Sequence, residues 1–272
     1  MNSDDRDDAP KLTDDDLQAL RSAVQLLEYP GLPARLAGML GQPLDRLLQS
    51  LPSSASHAIS NVAEKALGAA LKAALLTMKG APAEASQLLH KSLAVASGTL
   101  GGAFGMAALT IELPISTIIM LRSIADIARS EGESLHRPET ALACLHVFAM
   151  GGRMPDDDAA ESVYFLARTI MAKSMEEAAR YIAERSIIEE GAPVLVRVVT
   201  QVATRFGMVV TQKVAAQAVP VIGALGGAVV NYAFIDHFQD VARGHFTVRR
   251  LERKYGKDVI RKEYDRMRNE PH

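Results

Sequence analysis

The 272-residue chain lacks tryptophan, has one cysteine and shows no marked excess of charge of either sign. A single cysteine, Cys144, cannot form an intramolecular disulfide or a zinc site built from several cysteines. Aromatic residues make up 5% of the chain, which disfavours the stacking platforms that bind single strands of nucleic acid. The chain has 30 lysine and arginine residues against 32 acidic residues, whereas nucleic-acid-binding proteins concentrate positive charge. We therefore predict no nucleic-acid partner and no metal or other cofactor.

The sequence also lacks the motifs of common enzyme classes. No glycine-rich loop carries the lysine of a P-loop, and no strand–glycine–helix unit supports a dinucleotide site. A serine elbow and the His-Glu-x-x-His motif are missing as well. Cys144 and His146 stand two positions apart on a predicted helix, so their side chains point in different directions and disfavour a cysteine–histidine nucleophile pair. The residues alone predict no particular catalytic reaction.

The sequence contains instead a succession of helical patterns. Hydrophobic residues recur at helical spacing, and prolines and glycines end the segments. The β-branched run 194–199 has no second strand to pair with, so we assign it to a helix too. About eleven helices are predicted: one capped by Thr13, one from Pro33 to near Ser50, and others over 55–78, 83–110, 114–130, 138–150, 156–172, 174–190, 193–217, 219–245 and 247–269. The predicted fold class is all-α, a single multi-helix globular bundle.

The first residues differ in composition from the rest. Residues 1–12 are acidic and have no basic start followed by an apolar core, so they do not resemble a secretory signal. We predict that 1–12 form a disordered tail. No proline- or serine-rich linker divides the remainder, which predicts one domain over 13–272.

Two segments, 92–111 and 219–235, contain no charged residue. About 20 apolar residues suffice to cross a bilayer, but glycine and alanine add little transfer free energy. Glycines four positions apart leave a stripe without side chains, on which a neighbouring helix can pack closely. We interpret both segments as central helices of a bundle, with membrane contact as the alternative. The helix-packing glycines are Gly98, Gly101, Gly102, Gly105, Gly223 and Gly227.

Several polar residues stand among apolar ones. Pro114 predicts a kink or break, which places Glu112 at a junction between two helices. The charged residues that follow, Arg122, Asp126 and Arg129, share one helical stripe. They either neutralise one another at an exposed helix end or line a buried polar pocket with Glu112. Asn231 and His245 are polar residues on the apolar face of a later helix. The candidate ligand-binding pocket comprises Glu112, Arg122, Asp126, Arg129, Asn231 and His245.

The C-terminal segment from Thr247 is basic, with nine lysine and arginine residues against five acidic ones. Such a segment is usually a solvated helix. Its alternative role is contact with anionic lipid headgroups, worth about 1 kcal/mol per basic residue near the surface.

The chain resembles the EcsC protein family over nearly its whole length beyond the acidic tail. The resemblance implies a bacterial helical protein without established catalytic residues. Because the family takes its name from an operon that encodes an ABC exporter, it also implies work at or near the membrane. The residues that carry it are 27–31 (LEYPG), Gly98 to Gly105 leading into 112–114 (ELP), 121–129, 144–152 and 219–228, followed by Asn231, His245-Phe246 and Arg250-Leu251.

Two functional hypotheses follow. The first is a non-enzymatic, membrane-associated helical module that binds lipid or a partner helix, accessory to an ABC exporter, in the cytoplasm or peripheral at the inner face of the membrane. A variant in which the apolar helices open a pore rests on the glycine spacing. The alternative is a hydrolase-like enzyme whose occluded pocket holds Glu112, Arg122, Asp126 and His245, because such groups can supply acid–base chemistry and bind anions.

Overall fold

The structure is a computed structural model that describes residues 12–28, 31–40, 48–49, 51, 53–78, 105–152, 162–185, 189, 191–217 and 223–270. Within these ranges there are nine helices and no strands, so the predicted all-α class is confirmed with fewer helices than the eleven expected. They are α1 (Asp14–Glu28), α2 (Leu32–Leu40), α3 (Ser53–Met78), α4 (Gly105–Ser130), α5 (Pro138–Met150), α6 (Val163–Glu184), α7 (Pro193–Gln217), α8 (Gly223–Tyr255) and α9 (Lys257–Arg268).

Several helices begin where the sequence predicted. The Oγ1 atom of Thr13 accepts a hydrogen bond from the backbone N–H of Asp16 at 3.3 Å, which is the predicted N-cap of α1. Pro138 occupies the first turn of α5, where the missing N–H of a proline has no helical partner to lose. The run 194–199 lies within α7 and is helical, as predicted.

Of the kink or break predicted at Pro114, the break is wrong. Pro114 lies inside α4, which continues from Gly105 to Ser130. A proline inside a helix removes one backbone hydrogen bond, and tertiary packing can override that cost. Here Leu109 and Leu113 are buried in the core just before and beside the proline.

Two further predicted boundaries are also wrong. The boundary predicted between 172 and 174 lies inside α6, where Ser174 is buried and no glycine or proline interrupts the helix. The boundary predicted near residue 246 lies at Gly256 instead. This glycine has a φ of 92°, a conformation that residues with a Cβ rarely adopt, and it ends α8 and begins α9.

The core is shared by all of these helices. Helix α8 is central, since it contacts α1, α2, α4, α5, α7 and α9. Helix α5 is the most enclosed, because every residue from Thr140 to Met150 is buried. Of the glycine-rich segments, residues 92–104 lie outside the described part of the chain, and so does nearly all of the predicted acidic tail. That the uncharged segments 92–111 and 219–235 form the centre of the bundle stays a prediction.

Helices α4 and α8 run parallel to each other. Gln239 donates a hydrogen bond to Ser123 at 2.8 Å, and Thr247 donates to Glu131 at 3.1 Å. The two residues of each pair are 116 positions apart, so the chain advances in the same direction along both helices. We call the side of the bundle with the N-terminal halves of α4 and α8 the apolar end. The opposite side, with the C-terminal half of α8 and the acidic residues of α1 and of the turn after α4, is the charged end.

One described helix, α7, is long and apolar enough to cross a bilayer by length and composition. Its most apolar window has a mean hydropathy of 1.4 and is 56% buried within the protein. A core helix of a soluble protein has the same properties, so α7 is weak evidence for a membrane span.

Candidate functional site

Three of the predicted pocket residues lie on the surface. Arg122, Asp126 and Arg129 are all exposed on α4. Asp126 and Arg129 form an ion pair with each other, and both side chains are 66% exposed. These side chains therefore do not line an enclosed pocket.

Glu112 belongs to a different place, the apolar end. Its Oε1 atom accepts a hydrogen bond from Lys213 Nζ at 2.5 Å, although the two residues are 101 positions apart. Lys213 is fully buried, whereas the Glu112 side chain is 35% exposed. The Lys213 ammonium also lies 4.8 Å from the centre of the Phe234 ring, within range of a cation–π contact. Burial lowers the pKa of Lys213, and the attraction of Glu112 opposes this shift.

Sequence reasoning did not identify Lys213. The available signal was a single charged residue within the otherwise uncharged run 206–217 of α7. An isolated cation in such a run needs an acidic partner when it is buried. Asn231 stands one turn before Phe234 on the same face of α8, and its Oδ1 atom is buried without a hydrogen-bond partner among the described residues.

Three large hydrophobic side chains at the apolar end are exposed, and we call them the apolar patch. Ile111 is 53% exposed, Val229 47% and Tyr232 69%. Ile111 adjoins Glu112, whereas Val229 and Tyr232 are three positions apart on one face of α8. Because Lys213 contacts both Glu112 and Phe234, these parts of α4 and α8 lie at the same level of the bundle.

His245 lies in a third place, a buried polar cluster between α5, α6 and α8. The Tyr164 hydroxyl and His245 Nδ1 are 3.0 Å apart. Arg168 donates one hydrogen bond to the Tyr164 oxygen at 3.0 Å and two to the Glu252 carboxylate at 2.8 and 3.0 Å. The His146 ring is 6.4 Å from the His245 ring, centre to centre. We call these five residues the histidine cluster.

Both histidines of this cluster are held neutral. Burial lowers the pKa of His146 to about 4. It also lowers the pKa of His245 well below its ordinary value, and the positive charge of Arg168 acts in the same direction. Burial raises the pKa of Tyr164, so the phenol keeps its proton. The cluster therefore presents neutral hydrogen-bonding groups beside one ion pair.

The structure does not bring the six predicted residues into one pocket. Glu112 and Asp126 are fourteen residues apart on α4, about 21 Å along the axis at 1.5 Å per residue. Asn231 and His245 have the same separation on α8. No group of three or more histidine, cysteine or acidic side chains that could hold a metal is found among the described residues.

A surface groove of about 510 Å³ lies elsewhere, between α3 and α7. Leu71, Val196 and Val199 line it together with Lys65, Lys72 and other polar residues of α3. None of the predicted pocket residues contributes to this groove.

Comparison with known proteins gives one match. A family model described as the EcsC protein family matches residues 15–251, which include every described helix except α9 and the ends of α1 and α8. No curated protein and no solved structure matches the chain.

Proposed function

The chain belongs to the EcsC protein family, and from this premise we propose that it is a non-enzymatic protein that binds lipid bilayers peripherally through its apolar end. The location would be the inner face of the membrane. An accessory role beside an ABC exporter, which the family resemblance suggests, is compatible with such a position.

The apolar patch is the observation that carries this proposal. Ile111, Val229 and Tyr232 are exposed on two neighbouring parallel helices, at the end of the bundle where the adjoining sequence 92–111 and 219–235 has no charged residue. Exposed hydrophobic side chains on one face indicate a contact surface, whereas scattered ones need no explanation, and Val229 and Tyr232 share a face of α8. Tyrosine is moreover common at the boundary between membrane and water.

The expected strength of this contact is modest. Complete burial of a large aliphatic side chain is worth about 2 kcal/mol, so three half-exposed side chains contribute about 3 kcal/mol together. This is less than one fatty-acyl anchor supplies, and such an anchor binds reversibly. We therefore propose reversible association.

Six of the nine basic residues of the C-terminal segment already have acidic partners. Arg249, Arg250, Arg253 and Lys254 form ion pairs with acidic residues of the charged end, while Arg261 and Arg266 pair with acidic residues of α9. Charges that are already paired attract headgroups less, so binding through the apolar end should depend little on anionic lipid.

Vesicle flotation tests the proposal. The purified, detergent-free protein is mixed with vesicles of neutral phosphatidylcholine, with and without an anionic lipid. We expect the wild type to float with both, and a variant with Ile111→Ser, Val229→Ser and Tyr232→Ser to lose about 100-fold in binding, the equivalent of 3 kcal/mol.

The matched control carries Ile170→Ser and Val196→Ser, which change similarly exposed hydrophobic residues on α6 and α7. This control should float like the wild type. Absence of wild-type flotation with either vesicle, or equal losses in the patch and control variants, would overturn the proposal.

The hydrolase-like alternative stays a prediction without a shared site. Glu112 pairs with Lys213, Arg122 and Asp126 are exposed, and His245 contacts Tyr164. Acid–base chemistry needs such groups within hydrogen-bonding reach of one substrate, and these four lie in three separate places.

A further inference from the structure

The histidine cluster contains two buried nitrogen atoms without hydrogen-bond partners in the described structure. They are the Nε2 atoms of His146 on α5 and His245 on α8. The two residues are 7% and 2% exposed, and their rings lie edge to face with centres 6.4 Å apart. Buried polar atoms in native proteins almost always have a hydrogen-bond partner, which is either protein or ordered water.

The surroundings of Tyr164 fix the position of the proton on His245. Arg168 can only donate, so the Tyr164 oxygen accepts from it. The Tyr164 hydroxyl hydrogen has no acceptor among the described residues except His245 Nδ1. His245 must therefore accept at Nδ1 and, being neutral, carry its own hydrogen on Nε2.

His146 has the opposite arrangement. The backbone of Ala167 raises the pKa of His146, which is the direction expected when a carbonyl oxygen accepts from a ring N–H. Since Nε2 has no partner, the donor is Nδ1. A neutral His146 with a hydrogen on Nδ1 presents a bare lone pair at Nε2.

We propose that one buried water molecule bridges the two rings, accepting a hydrogen bond from His245 Nε2 and donating one to His146 Nε2. A single water provides both functions, and buried waters typically bind such polar groups in protein interiors. The bridge completes a hydrogen-bonded chain from Glu252 through Arg168, Tyr164 and the two histidines to the backbone of α6. The chain connects α5, α6 and α8 and does not depend on membrane contact.

A transition-metal ion fits this place less well. A metal bound by both rings needs a lone pair on each Nε2 atom, so His245 would carry its hydrogen on Nδ1 instead. The buried Tyr164 hydroxyl would then lose its acceptor. The ion would also lie in the same buried cluster as the Arg168 guanidinium, whose positive charge opposes a second cation.

Nitrogen-15 spectra of the histidine side chains test the assignment at pH 7. We expect His245 to show its hydrogen on Nε2 and His146 on Nδ1, that is, opposite shifts for the corresponding nitrogens. A crystal structure should show one peak within about 3 Å of both Nε2 atoms. The preparation should contain no stoichiometric zinc or copper, and neither ion should change the histidine shifts when added.

Two tyrosine variants separate this arrangement from a general packing role. Tyr164→Phe removes the donor to His245 and should shift the Nδ1 and Nε2 signals of that ring while His146 keeps its form. The Tyr264 ring stacks on Tyr164, and the Tyr264 hydroxyl donates to Glu28. Tyr264→Phe should therefore change the signals of neither histidine. A hydrogen on His245 Nδ1 in the wild type, a bound metal, or a missing peak between the rings would overturn the proposal.

Discussion

The two ends of the parallel helices α4 and α8 differ in the side chains that they present. At the charged end, Arg249 and Arg250 of α8 pair with Glu133 and Glu131 after α4, at 2.8 and 2.7 Å. At the apolar end, the corresponding stretch of α8 has no charge from Gly223 to Ile235, and large hydrophobic side chains are exposed. The same helices therefore carry ion pairs at one end and exposed hydrophobic side chains at the other.

The charged end also explains the basic C-terminal sequence. Asp16, in the first turn of α1, accepts hydrogen bonds from Arg250 at 3.0 Å, Lys254 at 2.7 Å and the Tyr255 hydroxyl at 2.7 Å. The cations of α8 therefore attach the first helix of the described chain to the last long one. The ion pairs at this end contribute to the fold, whereas three large hydrophobic side chains are exposed at the other end.

Acid should have the largest effect, because it acts on three buried histidines rather than on the ion pairs or the apolar patch. Burial lowers the pKa of His146, His237 and His245 below 6.5, so the unfolded chain binds more protons than the native one. The contribution of the three histidines to the free energy of unfolding is fully present above pH 6.5. Below that pH it falls by about 1.4 kcal/mol per pH unit for each histidine, and for His146 the fall ends near pH 4. Urea denaturation between pH 7 and 5 measures this slope.

The charged end should contribute little in that pH range. Hydrogen bonds from Lys254 and Tyr255 lower the pKa of Asp16, so it stays ionised far below pH 5. His245→Asn removes one titrating group and should reduce the slope by about a third, which a stability profile that is flat between pH 7 and 5 would contradict.

Breaking the buried ion pair at the apolar end should have the next largest effect. Glu112→Gln leaves the fully buried Lys213 ammonium without its carboxylate, a loss of about 3 kcal/mol in the free energy of unfolding. The control is Asp126→Asn on the same helix, whose exposed ion pair with Arg129 is worth about 0.5 kcal/mol. Equal losses in the two variants would mean that the Glu112–Lys213 pair has no special weight.

Removing one charge at the charged end should cost less. Asp16→Asn keeps the shape of the side chain but weakens its bonds to two cations, and we expect a loss of about 2 kcal/mol. Asp14→Asn, on an exposed residue of the same first turn, should cost less than about 1 kcal/mol through the helix dipole alone. A larger effect for Asp14 than for Asp16 would show that helix capping dominates over the ion pairs.

The sequence predicted helix ends where local chemistry decides them. Thr13 and Pro138 mark starts that the structure confirms, because capping and proline geometry act within one turn. Pro114 does not end the helix, because burial of Leu113 and its neighbours outweighs one missing hydrogen bond. Gly256 was overlooked because helical patterns continue on both sides of it, and its positive φ is visible only in three dimensions.

The polar clusters were harder to predict because their partners are distant in sequence. Glu112 was identified from its place among apolar residues, but nothing local indicates a partner 101 positions away. The packing glycines show the same limit. An added Cβ at Gly244 would lie 2.7 Å from Leu27 Cγ, a close approach between α8 and α1 that requires the glycine. Spacing along the sequence did not point to Gly244, since it cannot show which helix lies opposite, and the packing role of Gly223 and Gly227 stays a prediction.

Changes in the apolar patch should have the smallest effect on the free energy of unfolding. They also test most directly whether the two ends of the bundle differ. Substituting Ile111, Val229 and Tyr232 with serine removes exposed surface that packs little inside the protein, so the free energy of unfolding should change by about 1 kcal/mol or less. Urea denaturation without vesicles measures this, beside the Ile170→Ser, Val196→Ser control. If the patch variant lost several kcal/mol while the control did not, the patch would be part of the core. Its loss of vesicle binding would then reflect unfolding, and the apolar end would support the fold in the same way as the charged end.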